Sequence, residues 1–246
     1  MDEDVDMQQS EDQKSFVFGT GSEEASGRGR TRQMDERLSR YREAEINPVR
    51  KARKDDLAIQ EQALNFIRNL IMDVEGEPTP QDGRPETTLM VDYLFSELGQ
   101  DRLMNILESK LRPKVIRPFS RRNNNRESRV MYPQPKIIEA VTYILVHMAA
   151  GAPRHRQLVI AQTSMLKHLS TYFTSKDTEV RVALCHLLSN LTQWDDPVDA
   201  PGCRQRAEEL RKMGFVSKVE GLQERDDSLD VRERAGQALY QMKQPH

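Results

Sequence analysis

The chain has 246 residues, of which 37% are hydrophobic and 31% are charged, and its formal net charge is −2. This length allows one or two domains with a sizeable core, and the near-neutral charge gives no general attraction to nucleic acid or membranes. Two cysteines cannot form the disulfide framework of a small secreted protein, and the acidic start lacks the pattern of a signal peptide. We therefore expect a protein of the cytoplasm and nucleus that does not enter a membrane.

Residues 1–33 are predicted to form a disordered tail. Acidic residues crowd its first twelve positions, and Gly, Ser and Thr dominate from Gly19 to Thr31. This composition offers too little apolar surface to offset the entropy lost on ordering.

Helical periodicity begins near Met34. The pattern predicts a charged helix over 34–46, ended by Asn47-Pro48, and then a helix whose apolar residues run from Leu57 to Ile71. No segment alternates with the period of two that is typical of strands, so the sequence predicts an all-α fold. The further predicted helices cover 89–111, 136–150, 158–174, 179–193, 204–213, 216–224 and 229–242.

Two proline-containing stretches, at 76–86 and 112–135, are predicted to be loops. The second is long for a compact domain and is interpreted as an inserted basic loop, in which Glu127 is the single acid. Phe119 is the one aromatic residue between 110 and 129, which does not support a stacking surface for single-stranded nucleic acid. A solvated loop is favoured, and we do not expect nucleic-acid binding.

Internal similarity decides the architecture. The segments 63–70, 141–148, 184–191 and 235–242 align, and their last residues are separated by steps of 78, 43 and 51. The middle step is one armadillo or HEAT period. The first is interpreted as nearly two periods, and the third as one period plus a loop at 195–202. We expect residues 34–246 to form an armadillo/HEAT-like right-handed helical repeat solenoid of about four repeats.

One segment, 177–191, resembles the third helix of an armadillo repeat, with Asp177 before it and Asn190-Leu191 at its end. In that family the third helix lines a concave groove, and polar residues at i and i+4 face the ligand because they share a helix face. The matching positions predict a partner-binding groove. Its candidate residues are Asn65, Asn69, Tyr143, His147, His186 and Asn190, followed by Gln237 and Gln241 in the last repeat.

Structural roles compete with binding at several of these positions, including Asn69, His147 and Gln241, and at Trp194. Asn190 lies near a predicted helix end, where asparagine often satisfies local backbone groups, so both roles have equal weight. Trp194 is either an interface anchor or a partly buried cap on the array, and the cap is favoured.

Catalytic and metal-binding patterns are not found. None of the five histidines stands at metal-ligand spacing, and there is no glycine-rich phosphate-binding loop. Cys185 and His186 are adjacent in a predicted helix, so their side chains point about 100° apart and do not form a nucleophile–base pair. We expect no enzymatic activity, no cofactor, no metal site and no small-molecule substrate.

The C-terminal part resembles a particular armadillo family. Its features are Ile144-Leu-Val-His-Met-Ala-Ala-Gly151, the segment 180–194 followed by Asp195-Asp196, and Leu210-Arg-Lys-Met-Gly-Phe-Val216, which is the most specific. Together they resemble the C-terminal end of the armadillo-repeat scaffold subunit of the GID/CTLH E3 ubiquitin ligase. The resemblance covers residues 55–246, and the stretch 112–135 departs from it.

The resemblance implies a non-catalytic subunit that holds a substrate receptor against the RING-containing core, so that substrates are ubiquitinated and degraded by the proteasome. It makes the six groove residues and Trp194 candidate contacts with that receptor. Family members are longer and have more N-terminal repeats, so the chain is a truncated gene model, a fragment or a short paralogue.

Other classes of protein remain as alternatives. An importin-alpha-like nuclear-transport adaptor is expected to have a regular Trp/Asn ladder, but Asn65, Tyr143, His186 and Gln237 stand at the Trp positions. Another armadillo protein-interaction module, or a nucleic-acid-binding repeat that uses 110–129, would also fit the periodicity.

Overall fold

The computed structural model describes residues 57–72, 86–116, 129–194 and 197–244. All of them belong to the unit formed by Asn47–His246. The tail predicted at 1–33, the helix predicted at 34–46, nearly all of the loop predicted at 76–86 and the middle of the predicted insertion (117–128) lie outside the described residues.

Helices make up most of the described chain, which confirms the predicted all-α class. Two short 3-10 helices, Ser170–Thr174 and Pro197–Asp199, join longer α-helices. The α-helices are α1 (Leu57–Ile71), α2 (Glu86–Leu98), α3 (Gln100–Leu111), α4 (Pro135–Ala150), α5 (Pro153–Ile160), α6 (Thr163–Leu169), α7 (Thr178–Leu191), α8 (Ala200–Lys212), α9 (Phe215–Arg225) and α10 (Leu229–Lys243).

These helices lie in two layers. The front layer consists of α1, α4, α7 and α10, each packed against the next in that order. In the back layer, α3 contacts α6, α5 contacts α8, and the 3-10 helix Ser170–Thr174 contacts α9. Groups of helices that contact only their neighbours are the arrangement of an armadillo-type solenoid.

The direct packing of α1 against α4 corrects the interpretation of the first repeat step. The 78 residues between Leu70 and Met148 are one repeat, not two. In this repeat α2 and α3 take the places that α5 and α6, and then α8 and α9, take in the repeats that follow. The residues that make this repeat longer than the others lie at 73–85 and between α3 and α4. Because of them, the spacing in the sequence did not show the repeat period.

Helix α4 lies at the centre of the fold. It packs against α1, α7, α2, α3 and α5, and it therefore carries buried apolar residues on several faces. Pro135 starts the helix, where its missing N–H would have had no partner within the helix in any case. Val141, Ile144, Leu145 and Met148 are completely buried.

Helix α7 begins at a well-formed N-cap. The Asp177 carboxylate accepts hydrogen bonds from the backbone N–H groups of Glu179 (3.0 Å) and Val180 (3.4 Å). This satisfies two of the four N–H groups that a helix start leaves unpaired. The acid that precedes the third-helix pattern in the sequence is therefore a structural residue.

Two predicted helices are interrupted. Gly99 has a φ of 78°, a left-handed conformation that glycine adopts readily, and it separates α2 from α3 where one helix over 89–111 was expected. The helix expected over 158–174 is divided into the end of α5, the short α6 and a 3-10 turn.

The prediction of a continuous loop over 112–135 is wrong at both ends of this stretch. Strands β1 (Lys114–Ile116) and β2 (Arg129–Met131) pair in antiparallel register with Val115 opposite Val130, and α4 already begins at Pro135. Strands of three residues are too short for an alternating pattern to be visible in a sequence.

Arginines that are half-buried or buried tie consecutive repeats together. Arg181 of α7 donates from Nε (2.7 Å) and Nη2 (2.9 Å) to the two carboxylate oxygens of Asp226, which follows α9. Arg206 of α8 donates from Nε to the carbonyl oxygen of Leu191 at 2.7 Å, and from Nη1 and Nη2 to Asp199 at 3.1 and 2.7 Å. Bidentate pairs of this kind fix geometry as well as neutralising charge.

Candidate functional site

The front layer brings the predicted groove residues onto neighbouring helices. Asn65 and Asn69 lie on α1, Tyr143 and His147 on α4, and His186 and Asn190 on α7. Each pair is spaced i, i+4 and shares one face of its helix. Since α1, α4 and α7 pack side by side, the pairs lie on consecutive helices of one layer.

Three of these side chains and an arginine form a continuous row across α1, α4 and α7. The guanidinium carbon of Arg68 lies 4.2 Å from the centre of the Tyr143 ring, within the range of a cation–π contact. The Tyr143 ring stacks on His147 at a centroid distance of 6.4 Å, and it meets His186 edge-on at 6.5 Å. We call Arg68, Tyr143, His147 and His186 the groove row.

Arg68 was not among the residues predicted from the sequence. It lies three positions after Asn65 and one before Asn69, so the helical spacing that selected those two could also have selected it. Its importance comes from the Tyr143 ring of the next repeat, and that neighbour is not visible in the sequence.

Several polar atoms of the front layer are buried but have no hydrogen-bond partner among the described residues. They include Arg68 Nε, His147 Nε2 and His186 Nε2 in the groove row, and Oε1 of Gln241 on α10. Buried polar groups of folded proteins are nearly always paired, so each exception calls for an explanation. A bound partner that supplies the missing groups is one such explanation.

The electrostatic surroundings keep both histidines neutral. Burial, followed by the positive charge of Arg68 and the neighbouring His186, lowers the pKa of His147 from 6.5 to about 4. Burial also lowers the pKa of His186, as does Arg234 on α10, while Asp230 opposes the change. Neutral imidazoles offer one N–H donor and one acceptor each at pH 7.

Tyr143 also keeps its proton. Burial raises the pKa of its hydroxyl, and the carboxylate of Glu179 adds to this, while Arg68 acts in the opposite direction. The groove row therefore carries one formal positive charge, on Arg68, together with three neutral aromatic side chains.

Asn190 makes a contact inside the protein. Its side-chain Nδ2 donates a 3.0 Å hydrogen bond to the carbonyl oxygen of Val146 on α4. This bond links the helices of two successive repeats, so one of the two roles foreseen for Asn190, the structural one, is present in the fold. Asn65 is half-buried and Asn69 is exposed on α1.

Trp194 follows the end of α7 with 44% of its surface exposed. This exposure is compatible with both roles foreseen for it, an interface anchor and a partly buried cap. Both therefore remain predictions.

Cys185 is not suited to nucleophilic chemistry. Cys185 is completely buried, and burial raises the pKa of its thiol to about 12, so no thiolate forms there at neutral pH. In the same part of the chain no three His, Cys, Asp or Glu side chains are placed to hold a metal ion. Nor is any described helix long and apolar enough to cross a membrane.

Comparison with known proteins places the fold. A computationally designed armadillo repeat protein for modular peptide recognition is 14% identical, with a TM-score of 0.55 over 80% of this chain and 63% of that chain. A designed armadillo repeat protein in complex with the peptide (KR)4 is 14% identical, with a TM-score of 0.52 and the same coverage of 80% and 63%. An engineered protein of 18% identity reaches a TM-score of 0.53, again over 80% of this chain and 63% of its own.

The chain thus spans less than two thirds of the length of these three structures. At such low identities the likeness concerns the fold alone. No family model matches the sequence, and the search of curated proteins found no match. The resemblance to the ligase scaffold therefore stays a prediction, whereas the fold is established as an all-α solenoid of the armadillo type.

Proposed function

We propose that this protein is a non-catalytic binding subunit that holds an extended segment of a partner protein along the front layer. The groove row supports the proposal most directly. Its side chains come from three consecutive front helices, contact one another, and leave three buried nitrogen atoms without partners among the described residues. A peptide lying across the helices would bring backbone and side-chain groups to those atoms once the three side chains rotate toward it.

A more specific assignment rests on the sequence. We propose that the partner is the substrate receptor of a GID/CTLH-type E3 ubiquitin ligase. By binding this receptor, the subunit would allow the receptor's substrates to be ubiquitinated and degraded by the proteasome. The support is the resemblance over residues 55–246, above all Leu210-Arg-Lys-Met-Gly-Phe-Val216. A location in the cytoplasm and nucleus belongs to the same proposal, and the two free, buried thiols are compatible with it.

The most specific motif has a structural explanation. Gly214, between α8 and α9, has a φ of 79°, and its N–H donates to the carbonyl of Arg211 at 2.9 Å. Leu210 and Phe215 on either side are buried. The motif therefore builds the turn that ends α8.

Affinity purification tests the assignment. The protein would be tagged at its own locus, purified gently and analysed with its partners by mass spectrometry. Recovery of RING subunits or of a substrate receptor would support the ligase assignment. Recovery of importin-beta with basic cargo, and of no ligase subunits, would replace it by a transport adaptor.

A pair of substitutions asks whether the front layer is the surface used. Asn69→Trp adds bulk at an exposed position of α1, and Arg102→Gln alters an exposed position of α3 in the back layer. We expect the first to release the partner and the second to retain it. If the partner is retained by both variants, and also by Gln237→Trp on α10, the front layer is not the binding surface.

A further inference from the structure

The groove row holds a positive charge that nothing in the described chain neutralises. Arg68 forms no ion pair among the described residues, and its Nε has no acceptor there although it is buried. Two other arginines of the same unit are neutralised, Arg181 by Asp226 and Arg206 by Asp199. Leaving a buried cation group unpaired is costly, so an external acceptor is expected at Arg68.

His147 lies in the same electropositive environment. Besides burial, the groups that lower its pKa are Arg68 and His186, and no described carboxylate acts against them. Its Nε2, like that of His186, is buried without a partner in the described residues. Three nitrogen atoms that can serve as donors thus surround the Tyr143 ring.

The acids of the front layer lie at a different part of the row. Glu139 and Glu179 act on Tyr143, and Glu139 is already paired with Lys136 at 2.8 Å. Asp230 acts on His186 together with Arg234. Described carboxylates therefore act on Tyr143 and His186, whereas none acts on His147.

The same geometry argues against a basic side chain at this position. The Tyr143 ring could hold a cation of the partner over its face, but Arg68 already lies over the ring at 4.2 Å. A partner lysine or arginine would meet like charge instead.

A carboxylate fits better than a phosphate. A phosphoryl group carries about −1.5 to −2 charges at neutral pH, whereas a carboxylate carries one. Arg68 supplies the single formal positive charge of the row, which balances one carboxylate and leaves part of a phosphoryl charge unneutralised.

We propose that Arg68 and His147, with His186 beside them, form a subsite for an aspartate or glutamate side chain of the partner segment. This inference rests on the proposed function and adds to it the chemical class of one partner residue. The carboxylate pairs with the half-buried Arg68 guanidinium at the edge of the Tyr143 ring, and rotation of the side chains on binding brings the buried nitrogen atoms of Arg68 and His147 to it.

A peptide library tests the subsite without knowledge of the partner. Peptides of roughly a dozen random residues, fused at their C-termini to a phage coat protein, offer side-chain carboxylates and no free terminal carboxylate. They are selected on the full chain, and the selected sequences are synthesised with amidated ends for affinity measurement. We expect Asp or Glu to be enriched at one fixed position.

The decisive comparison is a double-mutant cycle. Changing that peptide acid to Asn or Gln should weaken binding to the wild-type protein about tenfold or more, as expected for a charge-assisted pair. Against Arg68→Gln the two peptides should bind within about twofold of each other. The matched control, Arg102→Gln in the back layer, should keep the full difference.

Protonation gives an independent readout. A bound carboxylate raises the pKa of His147, so binding takes up a proton, and affinity should rise about threefold between pH 7.5 and pH 6.0. Besides Arg68 and His186 within the row, the charged groups that act on it are Glu139, Glu179, Asp230 and Arg234. His147→Gln should abolish most of this rise in affinity. A substitution that only destabilises the fold would leave the pH dependence of affinity unchanged.

The outcomes separate the two proposals. Two results would overturn the subsite and leave the binding function standing. In the first, the selected peptides lose affinity for Asn69→Trp but show no preference for an acidic residue. In the second, changing the peptide acid to its amide weakens binding to Arg68→Gln as much as binding to the wild type. If Asn69→Trp and Gln237→Trp leave peptide binding unchanged, the front layer is not the site, and both proposals fail.

Discussion

Arg206 and Arg68 show two ways in which this fold uses a cation. Arg206 is 1% exposed, and its Nε, Nη1 and Nη2 all donate to acceptors of the chain itself. Arg68 lies on the front layer against Tyr143, and its buried Nε has no acceptor among the described residues. The first arginine completes the interior, while the second is oriented by the fold but left unsatisfied, which is what a binding surface requires.

The largest effect on stability is expected at the ion pair of Arg206 and Asp199. Asp199→Ala removes the carboxylate that neutralises Arg206 and lies 3.8 Å from Arg156, so buried positive charge is left behind. We expect the free energy of unfolding in urea to fall by about 3–5 kcal/mol. The control, Asp230→Ala, removes a carboxylate from an exposed i, i+4 pair and should cost less than about 0.5 kcal/mol. Equal losses in the two variants would contradict the contrast.

As the pH is lowered, protonation of His147 should reduce the stability of the protein at pH values above those at which carboxylates become protonated. The pKa of His147 is about 4 in the folded protein and 6.5 in the unfolded chain, so its contribution is complete above pH 6.5 and is lost as the pH falls toward 4. Between pH 7.5 and 5.0 this amounts to about 2 kcal/mol. Urea unfolding at several pH values should show a shallower acid dependence for His147→Gln than for the wild type. Identical slopes would show that the histidine is freely solvated.

A smaller loss is expected at the bond between repeats. Asn190→Ala removes the hydrogen bond to the Val146 carbonyl and should lower the free energy of unfolding by about 1 kcal/mol. Asn69→Ala, at an exposed position of α1, serves as the matched control and should change it little. A loss at Asn69 as large as that at Asn190 would argue that both asparagines are structural.

The smallest change is expected at Arg68. Arg68→Gln gives up a cation–π contact of about 0.5–1 kcal/mol and also relieves an unpaired buried group. Its unfolding midpoint should stay close to that of the wild type, whereas Arg206→Gln should lower it strongly. A loss at Arg68 comparable to that at Arg206 would identify Arg68 as a structural residue.

The sequence predicts the helices of this fold better than their arrangement. Apolar residues at helical spacing located α1, α4, α7 and α10 to within a few residues, because burial of one face leaves a regular pattern. The break at Gly99 was missed, since glycine is tolerated inside many helices. The adjacency of α1 and α4 was missed because the additional residues between them imitate a second repeat.

The groove residues show the same limit. The i, i+4 rule selected Tyr143, His147 and His186, which the fold does bring together. It could not assign Asn190 to Val146, nor place Arg68 over Tyr143, because both contacts join helices of different repeats. Relations within a helix can be deduced from spacing, and relations between helices depend on packing.

The short ribbon of β1 and β2 has a consequence for how this chain can be altered. Its register places Ile116 opposite Arg129, so the two ends of the connection between them are held side by side. The positions of α3 and α4 relative to each other then depend on the ribbon and hardly on the length of the connection. The reason is that the entropic cost of closing a loop rises only slowly with its length. Insertions and deletions between these two positions can therefore accumulate during evolution without disturbing the helical array. For the same reason, a fluorescent label or an affinity tag could be introduced there.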